Sequence, residues 1–120
     1  MTRAARPREA EVQRAIELAL GAEPDCLLMR NSVGVARNVD DEGRERFIAY
    51  GLGGPGSPDL ILILAPGGRL VGLEVKRPGE DATPEQRHVH AIWRRFGAVV
   101  AMVHDVEEAR AVLDEARRCG

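Results

Sequence analysis

Three charged residues sit at one end of what reads as a buried β-hairpin: Asp59 at its start, Glu74 and Lys76 at its finish. The apolar runs Leu60-Ile61-Leu62-Ile63-Leu64 and Leu70-Val71-Gly72-Leu73 flank the turn signal Ala65-Pro66-Gly67-Gly68-Arg69. Runs of this kind bounded by Gly and Pro are buried strands. A charge at the end of such a strand is expensive unless something compensates it. A two-residue Gly67-Gly68 turn predicts Pro66 opposite Arg69, Ile61 opposite Glu74 and Asp59 opposite Lys76. Side chains alternate faces along a strand, so all three charges would project from one face. Asp59 and Glu74 become diagonal neighbours, roughly 7–8 Å apart. Two carboxylates so placed suit a hard divalent cation.

Lys76 is the only lysine among seventeen basic residues. Arginine keeps its proton in a protein, whereas lysine beside a charged site can give one up. A chain that otherwise uses arginine, and keeps one lysine beside Glu74, points to chemistry that needs lysine there.

These words resemble a known family. Pro58-Asp59, a hairpin and Glu74-Val75-Lys76 resemble the PD-(D/E)xK nuclease signature. With Gly51-Leu52-Gly53-Gly54-Pro55-Gly56-Ser57 before it, Arg77-Pro78 after it and Thr83-Pro84-Glu85-Gln86 beyond, the chain is similar to the VRR-NUC branch, virus-type replication-repair nucleases. The resemblance runs from the first helix to the strand after Gly97. It implies an α/β, restriction-endonuclease-like fold, a mixed β-sheet flanked by helices. It also implies a metal-dependent DNA endonuclease in which Asp59 and Glu74, with the Val75 carbonyl, hold Mg²⁺ or Mn²⁺. Lys76 would orient or deprotonate the attacking water. An acidic residue of the first helix would stand near the metal; Glu9 is the first choice and Glu11 the reserve. Small members resemble Holliday-junction resolvases, which implies branched DNA as substrate and a homodimer, in a bacterial or phage-encoded setting. The alternative is a non-catalytic, nuclease-like module that binds nucleic acid or protein. Its signature would be loss of Asp59, Glu74 or Lys76, and all three are present.

The remaining elements must position these groups. At 120 residues the chain is expected to be one domain, 1–120, large enough for one core. Hydrophobic content of 44% and charged content of 30% describe an ordinary globular chain. No apolar run approaches the ~20 residues that span a membrane. Met1-Thr2-Arg3-Ala4-Ala5-Arg6 does not read as a signal peptide. Cys26 and Cys119 are isolated thiols, Cys26 buried, and the expected compartment is the cytoplasm. A net charge of −2 is unlike a passive nucleic-acid binder, yet compatible with a carboxylate-lined metal site.

Pro7 to about Gly21 is the first predicted helix, its apolar stripe Val12, Ala15, Ile16, Ala19 and Leu20. Glu9 lies close to that stripe, while Glu11 points away; a position at the helix N-terminus would also suit Glu9. Cys26–Arg30 is a predicted strand. Two extended pieces flank the turn Asp40-Asp41-Glu42-Gly43. Arg30, Asn31 and Arg37 there, with Ser57 and Arg77, are candidate DNA contacts. The Gly51–Gly56 stretch lacks the ending of a phosphate loop and is expected to let backbone approach substrate beside Asp59. Thr83-Pro84-Glu85-Gln86 is a capping box. The helix it opens would bury Val89, Ile92, Trp93 and Phe96, and Gln86 on that face could reach the site or merely cap. His88 and His90 lack the spacing of a metal pair. Ala98–Val103 is expected as a strand parallel to its neighbour. A last helix follows, capped by Asp105 and packed through Ala109, Val112, Leu113 and Ala116.

Overall fold

The computed structural model describes residues 6–118. Cys119 and the segment before Arg6 lie outside the described residues. In chain order the elements are α1 (Glu9–Leu20), β1 (Cys26–Arg30), β2 (Gly34–Val39), β3 (Glu45–Tyr50), β4 (Leu60–Leu64), β5 (Arg69–Val75), α2 (Pro84–Arg95), β6 (Val99–Val103) and α3 (Val106–Arg118). A four-stranded sheet has the order β1-β4-β5-β6. β1, β4 and β5 are antiparallel neighbours, and β6 runs parallel to β5, as the helical crossover requires. β2 and β3 form a separate two-stranded hairpin.

The sheet separates two layers by residue parity. Leu60, Leu62, Leu64, Val71, Leu73, Val75 and Val103 point to one face. They pack with Val12, Ile16 and Leu20 of α1 and Ala109, Leu113 and Ala116 of α3. These buried side chains form the core. Each large one stabilises the fold by about 1.5–3 kcal/mol relative to exposure, and Leu73→Ala would cost about 2–5 kcal/mol. α2 lies on the opposite face, where Glu74 and His90 are buried.

Helix ends follow local chemistry. Thr83 accepts from the Gln86 N–H while the Gln86 side chain accepts from the Thr83 N–H, with Pro84 opening α2. Asp105 accepts from the Glu108 N–H at 2.8 Å and caps α3. α1 begins after Arg8, so Pro7 precedes the helix instead of opening it.

The hairpin register differs from the expectation. Leu64 pairs with Arg69, Ile61 with Gly72 and Leu60 with Leu73. The connection is therefore the four residues 65–68, closed by the Gly68 N–H donating to the Leu64 carbonyl at 2.8 Å. Gly68 has φ of 74°, which only glycine adopts without cost. The pairing is shifted by two residues, so every side chain keeps its face.

The stripe on α2 is also corrected. His90 is its only buried residue, and Phe96 is 87% exposed. Ile92 reaches the surface too. Cys26 is half-buried against the core and free of any disulfide.

Candidate active site

The site lies where β4 begins and β5 ends. Continuing the register by one residue sets Asp59 opposite Glu74, not opposite Lys76. The two carboxylates thus face each other more closely than the diagonal placement expected from sequence. Val75 lies beyond the last β4–β5 pair, and its N–H donates to Asp59 Oδ2 at 2.9 Å. The Asp59 side chain takes the place of a missing strand partner. The carbonyl of an extended residue points to the same side as its N–H, so Val75 O is directed toward the same gap. The Lys76 N–H donates to the Val103 carbonyl at 3.0 Å, which fixes the end of β5. By parity Lys76 shares the face of Glu74.

The segment before Asp59 is held from two sides. The Pro58 ring is fully buried and covers Gly72; a Cβ at Gly72 would stand 2.6 Å from Pro58 Cγ. Asn31 fastens the other side. Its N–H donates to the Asp59 carbonyl at 2.7 Å. Its Nδ2 donates to the carbonyls of Leu52 and Pro58, both at 3.0 Å, and its Oδ1 accepts from the Leu52 N–H at 2.8 Å.

Glu74 is 2% exposed. Burial, a hydrogen bond shared with Asp59 and the Asp59 charge push its pKa up to about 9, with Lys76 opposing. Without a cation, Glu74 therefore holds a proton and donates it toward Asp59 at neutral pH. His90 Nε2 stands 3.4 Å from Glu74 Oε1. Burial and the Arg94 charge lower the His90 pKa. This is a neutral contact between imidazole and carboxyl, not an ion pair. Glu9 is raised above the usual carboxylate value by partial desolvation and by the Asp59 charge, with Lys76 opposing. Glu9 thus belongs to the field of the site, whereas Glu11 pairs with Arg8 at 3.5 Å on the surface.

A hard divalent cation fits this donor set. Two facing carboxylates that need a proton to coexist offer hard oxygens, and Val75 O adds a neutral one. Among the described residues no three His, Cys, Asp or Glu side chains form a ready-made cluster. Such an ion would rest on Asp59, Glu74, the Val75 carbonyl and water.

The other expected residues fall elsewhere. Gln86 commits its Oε1 to the Thr83 N–H at 2.8 Å. Arg30 makes a two-pronged pair with Glu17, at 2.5 and 2.9 Å. Arg37 pairs with Glu45. Arg77 donates to the Pro7 carbonyl at 3.0 Å and lies 3.6 Å from Glu80. Asn31 is buried and internally bonded, so it does not present a base-reading edge. Ser57 is buried, and its Oγ has no hydrogen-bond partner among the described residues. The glycine stretch has an internal use. A Cβ at Gly53 would lie 2.3 Å from Ser57 Oγ and 2.8 Å from Trp93 Cζ2, and one at Gly56 2.9 Å from Val89 Cγ2. Those glycines let the loop lie against α2.

The sequence showed His90 only as lacking the spacing of a metal pair with His88, and Asn31 only as a candidate DNA contact; the contact of His90 with Glu74 and the structural work of Asn31 were not foreseen. His90 had a signal: it follows Gln86 by four residues and so shares its helix face. The partners of Asn31 lie 21 and 27 residues away, which no local pattern shows.

The chain thus forms an α/β domain, a mixed sheet with α1 and α3 on one face and α2 on the other, and a carboxylate pair at a strand end. The chain is similar to a solved structure described as a "VRR_NUC domain", at 26% identity and a TM-score of 0.55, over 88% of this chain and 94% of that one. The fold is thus that of a VRR-NUC domain, restriction-endonuclease-like in its architecture. No protein-family model and no curated protein sequence matches the chain.

Proposed function

We propose that this protein is a Mg²⁺- or Mn²⁺-dependent DNA endonuclease that hydrolyses phosphodiester bonds, prefers branched DNA and works as a homodimer. The observation that carries the reading is the Asp59 carboxylate, fixed on the Val75 N–H beside buried Glu74, with Lys76 on the same face. Asp59, Glu74 and the Val75 carbonyl would hold the ion. Bound there, the ion would polarise the scissile phosphate and lower the pKa of a coordinated water.

The chain's own groups do the rest. To hold the ion, Asp59 and Glu74 would give up their shared proton to solvent and would then offer it a preorganised pair of hard oxygens. As the ammonium, Lys76 would orient the attacking water and offset the charge that develops on the phosphoryl oxygens; only as the neutral amine, its own proton first released to solvent, would it instead take that water's proton. Glu9 would complete the ion's shell from α1, directly or through water. His90 supports Glu74 from behind, while Gln86, one turn earlier on α2, is held in the capping box with Thr83. Asn31 and Gly72 keep the Asp59 segment in place. Two symmetric sites in a dimer could cut two strands of a junction.

The test is incubation with linear, flapped, single-stranded and four-way DNA in Mg²⁺, Mn²⁺ or EDTA. Metal-dependent cleavage, greatest on the four-way substrate, supports the proposal. No cleavage of any substrate with either metal overturns it.

A further inference from the structure

Both ring nitrogens of His104, the residue after β6, meet acceptors. Nδ1 lies 2.9 Å from Glu108 Oε2, and Nε2 lies 2.7 Å from the Glu80 carbonyl oxygen. A carbonyl oxygen and an ionised carboxylate only accept. Each ring nitrogen must then donate, and only the imidazolium donates from both. A neutral ring would set a bare nitrogen lone pair against an acceptor, whichever tautomer it took. The surroundings favour the charged ring. Glu108 Oε2 also accepts the His104 backbone N–H at 2.6 Å. Asp105 and Glu107 stand beside it at the start of α3, and Asp81, paired with Arg87, feels its charge from the other side. The Glu80 carboxylate lies near Arg6 and Arg77. α1 faces the ring across a gap lined by apolar Val12 and Ala15. A cation at a helix N-terminus is unfavourable, and these acids offset that. The Glu80 carbonyl, then Glu108 and Asp105, raise the imidazole above its ordinary pKa, against partial desolvation.

The carbonyl that His104 holds ends a tight turn. The Glu80 N–H donates to the Arg77 carbonyl at 3.0 Å, Pro78 takes the second position and Gly79 has a φ of 89°. That is a type II turn. It follows directly on Lys76. The same turn is tied to the entrance of α1. Arg77 Nε donates to the Pro7 carbonyl at 3.0 Å, and Arg6 Nη1 to the Pro78 carbonyl at 3.1 Å. Glu9 opens α1 just beyond. One turn therefore links Lys76 to Glu9, and His104 fastens it to the end of β6. We propose that protonated His104 is a positioning residue: it latches this turn, so holding Lys76 and Glu9 toward Asp59 and Glu74, and the latch opens when the ring loses its proton. The contribution of His104 is complete below the ordinary value of 6.5 and is lost as pH rises through the raised one.

The latch stands apart from the cleavage reaction; only its effect through Lys76 and Glu9 rests on the proposed function. Nitrogen NMR of the histidine rings, with His104 assigned by its loss in His104→Gln, should give a midpoint above 6.5. Glu108→Gln should move that midpoint down. Exchange of the Glu80 amide should be about tenfold slower in the native chain than in His104→Gln below the midpoint, as loss of a hydrogen bond from a charged donor implies, and equal above it. Single-turnover cleavage, compared between the same two proteins, should favour the native chain by about tenfold or more below the midpoint and converge above it. A His104 midpoint at or below 6.5 overturns the latch, and so does a Glu80 exchange ratio that ignores the midpoint. A latch that opens while the cleavage ratio stays constant overturns the positioning role. Absence of cleavage by both proteins at every pH overturns the proposed reaction and the positioning role with it, while the ring titration and the exchange ratio still decide the latch.

Discussion

Gly72→Ala should disable the site while leaving the fold largely intact. The new methyl group would lie 2.6 Å from Pro58 Cγ and 3.1 Å from Pro58 Cβ, with Val100 Cγ2 at 3.5 Å. Carbon atoms in contact prefer about 3.5–4.0 Å, so the proline must retreat by about 1 Å. Its ring is fully buried and its carbonyl is held by Asn31. The displacement therefore passes to the next residue, Asp59, and to its bond with the Val75 N–H. Overpacking costs about 1–3 kcal/mol. Gly→Ala returns about 0.4–1 kcal/mol by restricting the unfolded chain. The net loss of stability is small, roughly 0–2.5 kcal/mol. A misplacement of about 1 Å at a reacting centre costs about a hundredfold in rate, so catalysis should suffer far more than melting. Single-turnover cleavage and thermal melting on one preparation would show this. Gly67→Ala, where a Cβ meets open space, is the control. Cleavage by Gly72→Ala within a fewfold of the parent would refute the coupling of Gly72 to Asp59.

Lys76→Arg should lower cleavage by at least about a hundredfold, because arginine keeps its charge but cannot act as a base; near-normal cleavage would reduce Lys76 to a counter-charge. Asn31→Ala leaves Leu52 and Pro58 groups unpaired at a cost of about 1–3 kcal/mol, so its melting temperature should fall by several degrees, and an unchanged melt would show Asn31 to be dispensable. Glu74 has a folded pKa raised to about 9 from 4.5, so the stability it contributes to the metal-free fold is complete below about pH 4.5 and is lost as pH rises through about 9. In EDTA the native melting temperature should decline over that window, and Glu74→Gln, which imitates the protonated carboxyl, should flatten the decline; an equally steep fall in both proteins would contradict the shared proton.

Much of this site was legible because strand parity is robust. The predicted hairpin was two residues out of register, yet Asp59, Glu74 and Lys76 stayed on one face, since only an odd slip exchanges faces. The helix caps at Thr83 and Asp105 and the parallel β6 were readable because their signals are local or topological. The four-residue β4–β5 connection was not, since Ala65-Pro66-Gly67-Gly68 allows more than one turn. Phe96 misled because periodicity marks an apolar stripe without saying what covers it. Asn31 and the glycines against Trp93 depend on neighbours distant in sequence, and only the folded chain brings those together.

The central claim is that Asp59 and Glu74 form a cation-dependent cleavage site. Asp59→Asn keeps the shape of the side chain and an oxygen for the Val75 N–H, but removes the negative charge. Single-turnover cleavage of four-way DNA in Mn²⁺ should be rapid for the native protein, absent in EDTA and lost in Asp59→Asn. DNA binding in Ca²⁺ should persist in the variant. Cleavage by Asp59→Asn at the native rate, or native cleavage unaffected by EDTA, would contradict the account.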